Sequence, residues 1–378
     1  MTATAVLDLI TPKPRLLAVG EPTHREEELL DLRNSLFREL VEDEGYRAIT
    51  LESDCLMGLV VDDYVTSGVG DLDDVMATGF SHQWGGLRGN RELVQWMRSY
   101  NEGRALSDQV RFAGFDGPLE TEAPGSPRQA LTSLYSYLSA ATDLPCTADT
   151  LNELLGADDR WTNPAAMMDP TQSIGRSDDV VQLRRLAADL AALLTTETPA
   201  LLAESTVEAW HRARLYARTA EGLLRYHYWY ADTTPRRITH LLAQRDAMMA
   251  ANLRHLSDRF PTLAFGHNAH FQRDKSSMHI AGANHHWWSA GALVDARLGD
   301  RFKFVATAIG TIESRGVDAP PSGTLEAHLY ANSDQRQVHD PRKLAAIYPP
   351  RVSPWFGYAA LDPAQLPRLD GLLFVKDL

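Results

Sequence analysis

Short unbroken apolar runs alternate with helix-spaced segments over the first third of the chain. Leu16 to Val19 is one run, and Gly20 is expected to allow a sharp exit from it. Apolar residues at Leu30, Phe37, Leu40 and Val41 then follow at helical spacing. "RAITLESD", apolar through Leu51, and "VRFAGFDG", ending at Asp116, repeat the first pattern. Apolar runs bounded by turn residues predict buried strands, and strands alternating with helices predict βαβ units and a parallel sheet. From roughly 120 to 258 the period is helical, as in Leu183, Leu186, Leu190 and Leu193, and in Trp210, Ala213, Ala217, Ala220 and Leu224. Strand pattern returns in "TLAFGHNAH", "FKFVATAIG" and "GLLFVKDL". The expected fold is α/β, with a mixed or mainly parallel central sheet flanked by helices and a helical lobe inserted over the strand C-terminal ends. Residues 1–120 and 259–378 would form the α/β core and 121–258 the lobe, with a disordered tip around "GADDRWTNPAAMMDPTQSIGRSDD".

The polar residues that interrupt this pattern gather at strand ends. Glu21 and His24 sit at a strand-to-helix corner, the place where open α/β sheets bind ligands. Arg33 falls on the apolar stripe of the next helix, where a buried cation needs an anionic partner, and Glu52 at the following strand end is the candidate. His267, Asn268 and His270 follow the glycine that closes "TLAFG". Arg245 and Asn252 lie on the apolar face of the last lobe helix, which suggests a buried polar site or a ligand. Two chemistries fit this set. A His oriented by a carboxylate can take a proton from water while Arg and a second His stabilise the oxyanion on an ester or amide carbonyl. Alternatively, Glu21-x-x-His24 and His267-x-x-His270 could each offer two ligands to a divalent ion that activates water. No G-x-S-x-G elbow occurs, Ser53 follows Glu52 without elbow glycines, and Cys55 reads as a small core residue.

Composition narrows the partners. The 378-residue chain is 44% hydrophobic and 23% charged, ordinary for a globular protein. Its formal charge of -13 and isoelectric point near 5.4 offer no basic stripe, so nucleic acid and anionic membrane are poor partners and a small-molecule substrate is expected. Two cysteines, Cys55 and Cys146, make no disulfide framework or zinc spacing, and a cytoplasmic location is expected. No apolar run reaches the length of a membrane span, and "MTATAVLDLITPKPR" lacks the form of a signal peptide. The oligomeric state stays open.

Residues 16 to 54 resemble the N-terminal signature of the erythromycin esterase family, with Gly20, Glu21, Thr23, His24, Arg33 and Glu52 at the motif places. The likeness continues through "WMRSYN", "FAGFDG", "RDAMMAANL", "GHNAHF" and "GALVDARLGDRFKFVATAIG", in order along most of the chain. The resemblance implies a cofactor-free, metal-independent hydrolase that opens macrolactones or related secondary metabolites, as in antibiotic resistance or antibiotic biosynthesis. It makes His24 the general base, Glu21 its orienting carboxylate, and Glu52, Arg33 and His267 the rest of the catalytic set. His270, Asp116, Arg245, Asn268, His285 and Trp288 are candidates for substrate binding. "GANHHWWSAG" is either an amphipathic surface loop or an aromatic wall for the substrate. Arg25, followed by Glu26, Glu27 and Glu28, stands where members usually carry Gly or another small residue, which implies a charged pocket mouth. A biosynthetic relative using the same site for acyl transfer, cyclisation or elimination, a metal-dependent hydrolase, and a non-catalytic metabolite-sequestering protein are the alternatives.

Overall fold

The computed structural model describes residues 3–119, 123–344, 348–353 and 355–378. Contacts divide the chain into two units: residues 1–115, 252–278 and 288–378 form one, and 116–251 with 279–287 the other. The first unit is built on a seven-stranded sheet. Its strands are β1 (Leu16–Glu21), β2 (Ala48–Asp54), β3 (Arg111–Asp116), β4 (Thr262–His267), β7 (Phe302–Thr311), β8 (Arg336–His339) and β9 (Gly371–Asp377). The spatial order is β3-β2-β4-β1-β7-β9-β8. Parallel pairings join β2, β4, β1, β7 and β9, and β8 runs antiparallel to β9. The protein is thus α/β with a mostly parallel mixed sheet. β1 and β2 are buried at every position, so neither alternates between apolar and polar faces, and the polar residues Glu21, Glu52, Ser53 and Asp54 gather at their C-terminal ends.

Helix Glu27–Glu44 covers the sheet with Leu29, Leu30, Leu36, Phe37, Leu40 and Val41. It stops at Gly45 in the left-handed region (φ 70°), and the Tyr46 N–H donates to Leu40 O at 3.0 Å, closing the last turn. Glycine 20 does not turn the chain: it lies inside β1, opposite Gly266 of β4. A Cβ there would meet Asn268 Oδ1 at 2.2 Å, so the close approach of a neighbouring side chain, not a bend, requires the glycine.

In the second unit, helices Asp178–Thr196 and Val207–Tyr230, and helix Arg237–Arg259 as far as Ala251, carry the apolar stripes anticipated from spacing. The expected disordered tip is instead folded into short turns, Asp158–Arg160, Ala165–Met168 and Pro170–Gln172. Trp161 anchors it, buried to 1% exposure, with its indole N–H on Leu155 O at 2.9 Å and its ring edge-on to His227. The Arg237 guanidinium fastens the same segment by donating to Ala166 O and Met167 O, each at 2.9 Å. "GANHHWW" is likewise not a loop. It is strand β6 (Ala283–Trp288), paired with β5 (Lys275–Ile280) through a tight turn at Ala281 and Gly282, where φ is 51° and 78°. Among the described residues no single helix is long and apolar enough to cross a membrane.

Candidate functional site

Three parallel strands end side by side in the first unit and deliver the polar residues. Glu21 ends β1, His267 ends β4 in register with it, and Glu52 lies near the end of β2. Gly266 leaves room for Glu52, since a Cβ there would come 2.9 Å from its Cβ and Oε2. His24 follows β1 by three residues, and its Nδ1 sits 2.7 Å from Glu21 Oε1. Its Nε2 faces Glu52 Oε2 at 4.0 Å, too far for a direct hydrogen bond. Glu52 is fixed through both oxygens. Oε2 accepts the His267 backbone N–H at 2.7 Å, and Oε1 lies 3.2 Å from His270 Nε2.

The electrostatics follow from burial and these pairings. Desolvation raises the Glu21 carboxyl above its usual range, against the lowering effect of the His24 hydrogen bond. Burial pulls His24 down, yet the Glu52 charge and the Glu21 hydrogen bond outweigh it and leave the imidazole above its ordinary value. With Nδ1–H directed at Glu21, the neutral ring turns a free lone pair at Nε2 toward Glu52, and 34% of the side chain is open to solvent.

His267 is placed differently from the two other histidines. Its Nδ1 accepts the Ala269 N–H at 3.2 Å, capping the one-turn helix Asn268–Phe271, and the Pro22 carbonyl hydrogen-bonds the ring. Burial and then the nearby His24 charge lower its pKa to about 4, so it is neutral and committed to the backbone. Asn268 is similarly occupied, donating to Thr307 O at 2.9 Å and accepting the Thr307 N–H at 3.2 Å. It clamps the end of β4 to β7.

Arg33 lies beneath the cluster, only 1% exposed. The expected Glu52 is not the acceptor of its hydrogen bonds. The guanidinium donates to Asn34 Oδ1, to Asn90 Oδ1 at 2.9 Å and to Gly89 O. Burial lowers its pKa to about 10, and Glu21 leads the carboxylates that oppose this shift. Phe265 lies under the cation at 5.3 Å. The cavity between Glu21, Arg33, Trp84, Asn90 and Phe265 is about 10 Å³, the size of one water molecule.

Asn34, Asn90 and Trp84 were not anticipated. Trp84 packs against the His24 ring at 5.2 Å, its carbonyl held by Asn90 Nδ2 at 2.9 Å. The only signal was an aromatic residue within the turn-rich "SHQWGGLRGN". Arg25, His82 and Gln83 all adopt positive φ, at 72°, 55° and 60°, and Arg25 donates to His82 O at 2.7 Å. The family's small residue after the motif His therefore coincides with a left-handed position, which Arg25 fills at some conformational cost. Nor does the acidic run charge the pocket mouth as expected. Glu26 pairs with Arg315, Glu28 with Arg336, and Glu27 accepts the Arg88 and Gly89 N–H groups, capping helix Arg88–Asn101.

The remaining candidates divide between the units. Asp116 and Arg245 form an ion pair at 2.7 Å within the second unit. His285 belongs there too, with Nδ1 on Thr239 Oγ1 at 2.9 Å and Nε2 near Ile280 O. Trp288, in the first unit, is 53% exposed beneath Lys275. Burial alternates along β6, so His285 and Trp288 point to opposite faces of the strand. Ser53 exchanges hydrogen bonds with Ser81, and Cys55 is a buried core residue. Among the described residues no group of three or more His, Cys, Asp or Glu side chains is arranged to hold a metal ion.

Solved structures share this fold across 98% of the chain. A Bacillus cereus protein matches with a TM-score of 0.72 at 16% identity, covering 90% of that chain. A succinoglycan biosynthesis protein gives 0.68 at 14%, also over 90% of its length. A mutant of the erythromycin esterase EreC in its open conformation gives 0.64 at 17%, over 92%. At these identities the likeness is one of fold. No curated protein matches by sequence. The model of the family described as erythromycin esterase matches residues 41–376, which include Glu52, Asp116, Arg245, His267 and His270 but begin after Glu21, His24 and Arg33. With most of its length so matched, the chain belongs to the erythromycin esterase family.

Proposed function

We propose that the protein is an ester hydrolase acting on a macrolactone or related secondary metabolite, with water activated by His24. The observation that carries this is the contact of His24 Nδ1 with Glu21 Oε1 at 2.7 Å, which fixes the tautomer that leaves Nε2 as a base. Nε2 takes a proton from a water on the solvent side, and the hydroxide adds to the ester carbonyl. His24 then returns the proton to the leaving alkoxide, giving acid and alcohol. Glu52 stabilises the imidazolium across 4.0 Å, and His270 is the second imidazole within reach of that carboxylate. Arg33 is too buried to touch substrate and acts by holding the charge of Glu21 from below. A metal-independent route is favoured because His267 has both ring nitrogens committed to the backbone and cannot complete a ligand set.

Incubation of the protein with a panel of macrolides and simple lactones in ¹⁸O-water, followed by mass spectrometry, tests the proposal. Hydrolysis adds one labelled water. A product isomeric with the substrate, or one that has lost water, would instead identify a biosynthetic transformation.

A further inference from the structure

The second unit contains a groove of about 390 Å³ between helices Asp178–Thr196 and Val207–Tyr230. Arg184 and Arg185 enter it from one helix and Arg225 from the other, against a single carboxylate, Glu221. Among the described residues none of the three arginines is paired with a carboxylate. A neighbouring case shows the contrast. Arg176 and Arg184 both lie 4.6 Å from the Tyr228 ring, but Arg176 is neutralised by Asp232 at 3.0 Å and Arg184 is not. The guanidiniums repel one another locally, and an anion placed between them would relieve that repulsion. The floor is apolar, with Leu224 buried and Val181 37% exposed.

We propose that this groove binds a phosphate monoester with an apolar body. Arginine's planar fork matches phosphate oxygens in pairs, the Tyr228 ring limits the freedom of Arg184, and the Val181–Leu224 floor receives the apolar part. The volume falls within the range of small-molecule sites. The site is independent of the ester chemistry assigned to His24.

Calorimetric titration of the full-length protein with phenyl phosphate at low ionic strength tests this. The expected result is one saturable site, weakened about 10-fold by Arg184→Gln or Arg225→Gln and about 100-fold by both. Inorganic phosphate should bind more weakly and phenol not at all. Arg297→Gln, at an exposed position in the other unit, should bind as wild type. Should Arg184→Gln fail to fold, the exposed Arg225 carries the test alone. Absence of saturable binding, wild-type affinity in the groove variants, or an equal loss in Arg297→Gln would overturn the proposal.

Discussion

Glu52 Oε2 accepts the backbone N–H of His267 at 2.7 Å, so the carboxylate facing His24 is also the bond that aligns the ends of β2 and β4. Glu52→Gln would set an amide N–H against one of two donors, the His267 N–H or His270 Nε2. We expect a loss of about 1–3 kcal/mol in stability and a fall in single-turnover rate of at least about 10²-fold. Thermal unfolding with rapid-quench kinetics measures both, and an unimpaired rate would remove Glu52 from the reaction.

His24 is the partner of the buried Glu21 carboxyl, whose second oxygen is unsatisfied among the described residues. His24→Ala should therefore cost about 1–3 kcal/mol in stability while the protein stays folded, and lose about 10²- to 10⁴-fold in rate. The base works only when deprotonated, so kcat/KM should rise with pH through a limb centred above 6.5, the ordinary value from which His24 is raised. Glu21→Gln removes a carboxylate that holds the proton, and the limb should shift to lower pH. A limb that stays in place would show that Glu21 does not tune the base.

Arg33→Ala strands two amide oxygens, Asn34 Oδ1 and Asn90 Oδ1, and removes a buried cation from beside Glu21. Losing one member of such a network typically costs about 3–5 kcal/mol. Glu42→Gln, on the exposed side of the same helix, should change neither stability nor rate. Chemical denaturation of the two variants decides the matter, and equal midpoints would place the arginine outside any supporting role.

Two buried histidines make stability depend on pH. His267 and His227 are both lowered by burial to about 4 from 6.5. As pH falls through 6.5 the unfolded chain takes up protons that the folded chain refuses until about 4. Their contribution is therefore intact above about 6.5 and is lost progressively between 6.5 and 4. His227→Gln can keep the bond to the Gly125 carbonyl and should flatten the decline of melting temperature with acid. An unchanged slope would show that His227 does not carry the effect.

The features legible in the sequence are those set by local pattern. Apolar runs gave β1, β2, β3, β4, β7 and β9 but not β5, β6 or β8, whose strands are short or alternate with polar residues. Glu21, His24, Glu52 and His270 were legible because a strand end and the turn after it bring their side chains to one edge of the sheet. Features that depend on distant partners were not legible. Gly20 looks like a turn residue until Asn268, at the start of the turn after β4, occupies the space of its missing Cβ. Arg33 called for a carboxylate by charge, but two asparagines, one from a helix that begins at Arg88, supply its acceptors. The acidic run after Arg25 looked like a solvated, charged rim because the arginines that pair with Glu26 and Glu28 lie 289 and 308 positions downstream, and Glu27 is taken up by a helix start 61 positions on.

The strand order has a consequence for biosynthesis. β4 separates β1 from β2, yet it follows them by more than 200 residues, and the Glu52–His267 bond spans 215 positions. On the ribosome, β1 and β2 emerge with no central partner, and their unpaired backbone edges and apolar N-terminal halves stay uncovered while the second unit is made. Such long-range closure is slow. Production at lower temperature, or with holdase chaperones in excess, should therefore raise the yield of soluble protein more than any change at the surface. Truncation after the second unit should leave an aggregating fragment rather than a smaller domain.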